Sequence, residues 1–118
     1  MSTQFDFICK RVIRAMTCVV KVPESVTVRS IGDFRSSLIE IFESNESVEL
    51  DVDDLIEIDL SFVQLVLAAR AHAQRKGGSL RLSHPANAPL AALLDRAGFA
   101  AEPDPADLDF WFHGELPQ

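Results

Sequence analysis

The fold is decided at residues 57–70, where the chain reads EIDLSFVQLVLAAR. The apolar residues that lead into this stretch predict a strand, and the amphipathic run after it predicts a long helix, so a turn must lie between them. We place that turn at Asp59-Leu60-Ser61. Ser61 is a favoured N-cap residue, and Gln64 three positions later completes a Ser-x-x-Gln capping box. The sequence therefore predicts a helix whose first turn presents the Ser61 hydroxyl.

Hydrophobic spacing predicts further strands and helices on both sides of this stretch. Strand patterns occupy 17–22, 48–52 and 80–82, helical patterns follow Asp33 and Pro89, and a last edge strand is expected at 109–113. Gly77 and Gly78 end the helix after the turn, and Gly98 suits the left-handed position after the third helix. The alternation of strands and helices predicts an α/β fold, with a mixed or mainly parallel sheet and helices packed against it.

The first 15 residues fit this pattern least well. Phe5, Ile8 and Val12 recur at helical spacing with basic residues between them, which predicts a short amphipathic helix, although a strand ending at Cys9 remains an open alternative. We therefore expect an N-terminal extension at 1–15, used for docking or self-association. A chain of 118 residues suits one core, so we expect a single domain at 16–118.

Composition restricts the class of partner and the compartment. The formal net charge is −7 and the pI is about 4.8, which argues against nucleic acid because phosphate backbones are bound by clustered Lys and Arg. No apolar run is long enough to span a bilayer, so no membrane insertion is expected. Cys9 and Cys18 lack Cys-x-x-Cys spacing, and we expect no secretory leader. We therefore expect reduced thiols and a cytoplasmic protein.

Several chemistry-bearing patterns are better explained without catalysis. The carboxylates of Asp51, Asp53, Asp54, Glu57 and Asp59 suggest a cation site, but strand alternation separates neighbours and the glycine of a calcium loop is missing. The three histidines lie on different predicted elements, without a cysteine at zinc-ligand spacing. The sequence also lacks a glycine-rich phosphate loop and a nucleophile elbow. We predict no metal, no cofactor and no enzymatic activity.

Taken together, the segments from about residue 19 to residue 99 resemble a STAS domain, the fold shared by anti-sigma factor antagonists and the cytoplasmic tails of sulfate transporters. The segments that carry the resemblance are VELDVDDLIEIDLSFVQL at 48–65, KGG at 76–78, LRLSHP at 80–85 and LLDRAGF at 93–99. Their order and spacing are more specific than any one of them. The resemblance implies a four- to five-stranded sheet with helices packed against it.

The resemblance also implies a modification site. In anti-sigma factor antagonists the corresponding turn reads Asp-Ser-Ser-Gly or Asp-Thr-Ser-Gly, and an anti-sigma kinase phosphorylates the second hydroxyl. Counted from Asp59, that hydroxyl belongs to Ser61, whereas Leu60 replaces the first hydroxyl and Phe62 replaces the glycine. The Leu-Ser-Phe-x-Gln-Leu variant is similar to STAS proteins that accompany bacterial chemotaxis or histidine-kinase systems.

The function implied is a bacterial signalling domain that binds a regulatory protein, such as an anti-sigma serine kinase or a histidine kinase. The expected contact residues are Asp59, Leu60, Ser61, Phe62, Gln64 and Leu65. Phe62 and Leu65 suit the core equally well. Two alternatives stay open: an unphosphorylated docking or scaffold subunit of a chemotaxis or histidine-kinase system, and a STAS accessory subunit of an ABC lipid transporter. The N-terminal extension could also support a homodimer.

Overall fold

The computed structural model describes residues 9–11, 17–99 and 104–114. In chain order the strands are β1 (Cys9–Arg11), β2 (Thr17–Lys21), β3 (Ser25–Val26), β4 (Ser47–Asp51), β5 (Glu57–Ile58) and β6 (Ser79–Leu82). The helices are α1 (Ile31–Ser44), α2 (Leu60–Arg75), α3 (Ala88–Arg96) and α4 (Pro105–Phe112). The predicted α/β class is confirmed.

The main sheet has four strands in the order β1-β2-β4-β6. The strands β2, β4 and β6 are parallel, and β1 runs antiparallel to β2, so the prediction of a mixed or mainly parallel sheet is confirmed. The strands β3 and β5 form a second, two-stranded parallel sheet in which Val26 lies opposite Ile58. Parallel neighbours need crossover connections, which α1 and α2 supply. Both helices therefore begin at the edge of the sheet where the carboxyl ends of the strands lie.

The core lies against one face of the sheet. Val48 and Leu50 of β4 are fully buried, whereas Glu49 between them is half-buried on the opposite face, as the period of two in a strand requires. Phe34 of α1 and Phe62 of α2 stack above this face with ring centroids 5.8 Å apart. Within the described part of the chain, no helix combines the length and apolar character needed to cross a bilayer.

The third helix ends at a glycine in the left-handed region. Gly98 has φ +90°, its N–H donates to Asp95 O at 3.0 Å, and the N–H of Phe99 donates to Leu94 O at 2.9 Å. These are the two hydrogen bonds of a Schellman motif, and they satisfy carbonyls at the end of the helix. The prediction for Gly98 is confirmed.

Gly78 brings the start of β6 against the chain that leads into β4. A Cβ added to Gly78 would lie 1.8 Å from the carbonyl oxygen of Glu46, and the N–H of Ser79 donates to the same oxygen at 3.1 Å. Only a residue without a side chain permits this approach. The Gly78–Glu46 contact therefore fixes where β6 begins to pair with β4.

The amphipathic helix predicted for residues 1–15 is wrong at residues 9–11. These three residues form β1, with Cys9 opposite Val20 of β2, so the sheet begins before the expected boundary at residue 16. The exposed edge of a strand offers unpaired backbone donors and acceptors, and β1 satisfies those of β2. The remainder of the predicted helix and the proposed homodimer contact lie outside the described residues.

The edge strand predicted at 109–113 is also wrong, because Pro105–Phe112 form α4. The carboxylate of Asp104 accepts from the N–H of Ala106 at 3.2 Å and caps the helix. Pro105 occupies the first helical position, where its missing N–H costs nothing. This Asp-Pro start outweighs the strand preference of the aromatic residues that follow.

Cys18 forms a disulfide bond, so the prediction of a reduced thiol is wrong for this residue. The pairing of β1 with β2 was not foreseen, and it places Cys9 opposite Val20, two residues along β2 from Cys18. The cytoplasmic location rested in part on reduced thiols, and it stays a prediction.

Candidate functional site

The turn that begins α2 is built around Asp59. Asp59 is the N-cap residue, with its carboxylate oxygen Oδ1 accepting from the N–H of Ser61 at 3.0 Å. Ser61 is the second helical residue, so the prediction that Ser61 caps the helix is wrong. Gln64 is exposed and lies outside the position that a capping box requires. Aspartate and serine are equally good N-cap residues. Asp59 takes this position in α2 because its carboxylate also makes a contact with a segment that is distant in sequence.

That contact joins Asp59 to the segment before α1. The oxygen Oδ2 of Asp59 accepts from the N–H of Val28 at 2.8 Å, while Oδ1 also accepts from the hydroxyl of Ser61 at short range. The pKa of Asp59 is lowered, chiefly because the Ser61 hydroxyl donates to its charged form, with help from the backbone N–H groups of Val28 and Ser61 and against the effect of partial burial. The carboxylate therefore stays ionised at neutral pH and holds two segments together.

The residues predicted to contact a partner divide into two groups. Leu60 is 44% exposed and Gln64 is exposed, while Asp59 and Ser61 are half-buried at the surface. Phe62 is fully buried against Phe34, so the core alternative holds and its assignment as a partner contact is wrong.

Leu65 lies between the two groups. Its side chain is partly buried and packs against the core, which leaves only part of it at the surface. The surface part of the predicted site is therefore the Asp59–Ser61 turn together with Gln64 and an edge of Leu65.

Two exposed aliphatic residues near this turn were not predicted from the sequence. Val28 is 69% exposed and Ile56 is 65% exposed. A depression of about 560 Å³ lies between the starts of α1 and α2 and is lined by residues 25 and 27–30, together with Glu57 and Asp59. We call residues 27–30 the 27–30 loop. The sequence carries no signal for their exposure, because Val28 lies in the turn after β3 and Ile56 just before β5, and their surroundings depend on how these two strands pair.

Charged side chains from different parts of the sequence lie close together at the carboxyl ends of β4 and β6. Ligand atoms of Asp51, Asp53 and His84 lie within 4.8 Å of one another, and His84 Nδ1 is 3.2 Å from Asp53 Oδ2. Lys21 Nζ lies 2.9 Å from Asp54 Oδ2 and 3.9 Å from Asp51 Oδ2, and the Asp54 contact chiefly raises the pKa of Lys21. This arrangement is an exposed cluster in which Lys21 contacts Asp54 and Asp51 while His84 contacts Asp53, and exposed pairs of this kind contribute little to stability.

The architecture defines a class of protein: a small α/β domain in which a serine lies in the first turn of a helix at the carboxyl edge of the sheet. A family model described as "Mlab, STAS domain" matches residues 9–101. The chain therefore belongs to the STAS domain family.

Two solved structures share this fold. The Bacillus cell fate determinant SpoIIAA in its phosphorylated form matches with a TM-score of 0.59 and 14% identity, over 81% of this chain and 86% of that chain. The anti-sigma factor antagonist SpoIIAA in its unphosphorylated form matches with a TM-score of 0.59 and 21% identity, over 83% of this chain and 84% of that chain. The search of curated proteins finds no match to the sequence. At these identities the likeness establishes the fold.

Proposed function

We propose that the domain is a non-enzymatic regulatory module that binds a signalling protein through the Asp59–Ser61 turn, and that phosphorylation of Ser61 controls binding. The observation that carries the proposal is the position of the Ser61 hydroxyl. It lies in the first turn of α2, bonded to Asp59 and next to the exposed side chain of Leu60. Family membership and the likeness to an anti-sigma factor antagonist solved in both phosphorylation states support a regulatory role.

A phosphate fits this position physically. The first N–H groups of a helix lack intrahelical partners, and the helix dipole is positive at this end, so the added charge does not require the domain to unfold. The same charge of about −1.5 to −2 would face the carboxylates of Asp59 and Glu57. A partner whose surface fits the neutral serine would then meet a strongly negative surface, and binding would weaken.

The expected partner is a serine kinase of the anti-sigma type or a histidine kinase. The domain has no phosphate-binding loop in its sequence, so in this proposal the kinase supplies the nucleoside triphosphate and the catalytic groups.

A second candidate is a docking subunit that is never phosphorylated. Two observations favour it: Asp59 already engages the Ser61 hydroxyl, and the buried Phe62 occupies the position where antagonists have glycine. The accessory subunit of an ABC transporter remains a third alternative, which differs from the others in its partner. An ABC ATPase bound to the domain would support it, whereas a serine or histidine kinase would support signalling.

The test separates a switch from a constitutive surface. The partner is isolated with the domain from its own cells, and its affinity is measured for Ser61→Ala and Ser61→Asp, with Ser36→Asp on the exposed face of α1 as the matched control. A switch predicts that Ser61→Asp loses binding while Ser61→Ala and Ser36→Asp retain it. Equal binding by all three variants, together with protein from native cells that carries no phosphate on Ser61, would support the docking subunit.

A further inference from the structure

The 27–30 loop is tied to the start of α2 by a single carboxylate. Within the loop, the N–H of Thr27 donates to Ser30 Oγ at 3.2 Å and the N–H of Ser30 donates to Thr27 O at 2.9 Å. These bonds give the loop its own shape. The bond from the N–H of Val28 to Asp59 Oδ2 at 2.8 Å crosses to the other segment and joins residues 31 positions apart.

Both oxygens of Asp59 are in use, and they serve different segments. Oδ1 accepts from the N–H and the hydroxyl of Ser61, and Oδ2 accepts from Val28. The two oxygens belong to one rigid planar group, so a rotation that moves Oδ1 away from Ser61 also moves Oδ2 away from Val28. The chemical state of Ser61 and the position of the 27–30 loop are therefore linked through one side chain.

We propose that phosphorylation of Ser61 releases the 27–30 loop through Asp59; this inference rests on the proposed function. Phosphorylation forms an Oγ–P bond and breaks the terminal phosphoanhydride bond of the kinase's nucleoside triphosphate. It also removes the hydroxyl proton that Asp59 accepts, and this proton passes to a base of the kinase. Asp59 then loses one donor and faces a phosphate dianion, and like charges at this distance repel. The carboxylate turns away, and the N–H of Val28 loses its acceptor.

The consequence concerns the surface that a partner meets. The side chain of Val28 is 69% exposed, and its backbone is held beside the turn that carries Leu60, which is 44% exposed. In the unmodified domain the Asp59 contact holds the backbone of Val28 beside this turn. Release of the loop lets Val28 move away from the turn, so phosphorylation alters an exposed apolar part of the surface in addition to adding charge.

The experiment uses the purified full chain with phosphoserine installed at position 61, and NMR measures the exchange of the Val28 amide with water. We expect exchange about tenfold faster than in the unmodified chain, because the one acceptor of this N–H is withdrawn. The amide of Val22, which donates to Asp51 O at 2.9 Å, should exchange at an unchanged rate and shows that the domain remains folded. An unchanged Val28 rate in the phosphorylated chain would overturn the proposal.

Two variants identify the carboxylate of Asp59 as the link. Asp59→Ala removes both acceptor oxygens, so it should speed Val28 exchange to a similar extent without any phosphate. Ser61→Ala removes the hydroxyl but adds no charge, and it should change the rate by less than about threefold. If Asp59→Ala leaves the Val28 amide protected, Asp59 is not the link and the inference fails.

These outcomes are independent of whether the cell phosphorylates Ser61. If protein from native cells carries no phosphate on Ser61, the proposed function fails while the installed phosphate can still release Val28. If the native protein is phosphorylated but Val28 stays protected, the proposed function stands and this inference fails.

Discussion

Replacement of Gly78 with alanine should destabilise the domain more than any other single methyl group added at a described glycine. The new Cβ would lie 1.8 Å from the carbonyl oxygen of Glu46 and 2.7 Å from its carbonyl carbon, and both atoms are backbone. No rotamer can relieve this overlap, so the start of β6 must move away from the chain before β4. That movement also weakens the bond from the N–H of Ser79 to Glu46 O.

The expected cost is the sum of two effects. Forced overpacking costs about 1–3 kcal/mol, and the loss of a backbone hydrogen bond adds about 1 kcal/mol, so we expect about 3 kcal/mol in the free energy of unfolding. For a domain of this size that corresponds to a melting temperature lower by roughly 10–15 °C. Urea denaturation followed by circular dichroism measures the cost as a lower midpoint at an unchanged slope.

Two other glycine substitutions serve as controls. Gly77→Ala meets no atom within 4 Å but has φ +83°, and it should cost about 1 kcal/mol from backbone strain alone. Gly32→Ala lies within α1 with open space around it, and it should stabilise the domain by about 0.5–1 kcal/mol. If Gly78→Ala costs no more than Gly77→Ala, the close approach to Glu46 is absent and cannot set where β6 begins to pair with β4.

Three further predictions concern the helix ends. Gly98→Ala should lower the free energy of unfolding by about 1 kcal/mol because Gly98 has φ +90°, and an unchanged melting temperature would show that α3 ends elsewhere. Asn87→Ala should cost about 2 kcal/mol, because its Nδ2 donates to Val52 O and Leu55 O at 2.8 Å while its Oδ1 caps α3; urea denaturation that finds under 0.5 kcal/mol would contradict this. The lowered pKa of Asp59 means that its contribution to stability is present above its ordinary pKa and is lost as pH falls through the folded value. Asp59→Asn should therefore lose less stability than the wild type between about pH 5 and pH 3, and parallel curves would refute the shift.

The position of the turn could be predicted from the sequence, but its cap could not. The change from a strand pattern to a helical pattern placed the turn at Asp59-Leu60-Ser61, and α2 begins there. Both Asp59 and Ser61 are good cap residues by local rules. The choice depends on the N–H of Val28, which becomes a neighbour only when β3 pairs with β5.

The burial of individual residues on α2 also could not be predicted from the sequence. From helical spacing alone, Phe62 and Leu65 could lie in the core or contact a partner. The sequence of one helix does not show which of its sides is covered by neighbouring elements. The stacking of Phe62 on Phe34 decides the question for Phe62, and that contact follows from α1 and α2 lying side by side. The exposure of Val28 could not be predicted for a related reason: Val28 lies in the turn after β3, and its surroundings depend on β3 pairing with β5 in a separate two-stranded sheet.

At the C-terminal end the sequence contains a helix-start signal that was given too little weight against the strand preference of the residues after it. Residues Phe110, Trp111 and Phe112 favour a strand by intrinsic preference, and they are buried in α4. The Asp104-Pro105 pair is a helix start, with a capping carboxylate followed by a residue that needs no hydrogen-bond partner for its nitrogen. A start signal of this kind should outweigh strand preference over a stretch as short as α4.

The most direct test of the central claim is the affinity of the isolated partner for the domain with and without phosphoserine at position 61. The control carries phosphoserine at Ser36, an exposed position on α1. We predict that phosphoserine at 61 weakens binding by about 100-fold, while phosphoserine at 36 changes it by less than about threefold. Equal affinity for the unmodified domain and the domain phosphorylated at Ser61 would contradict the account.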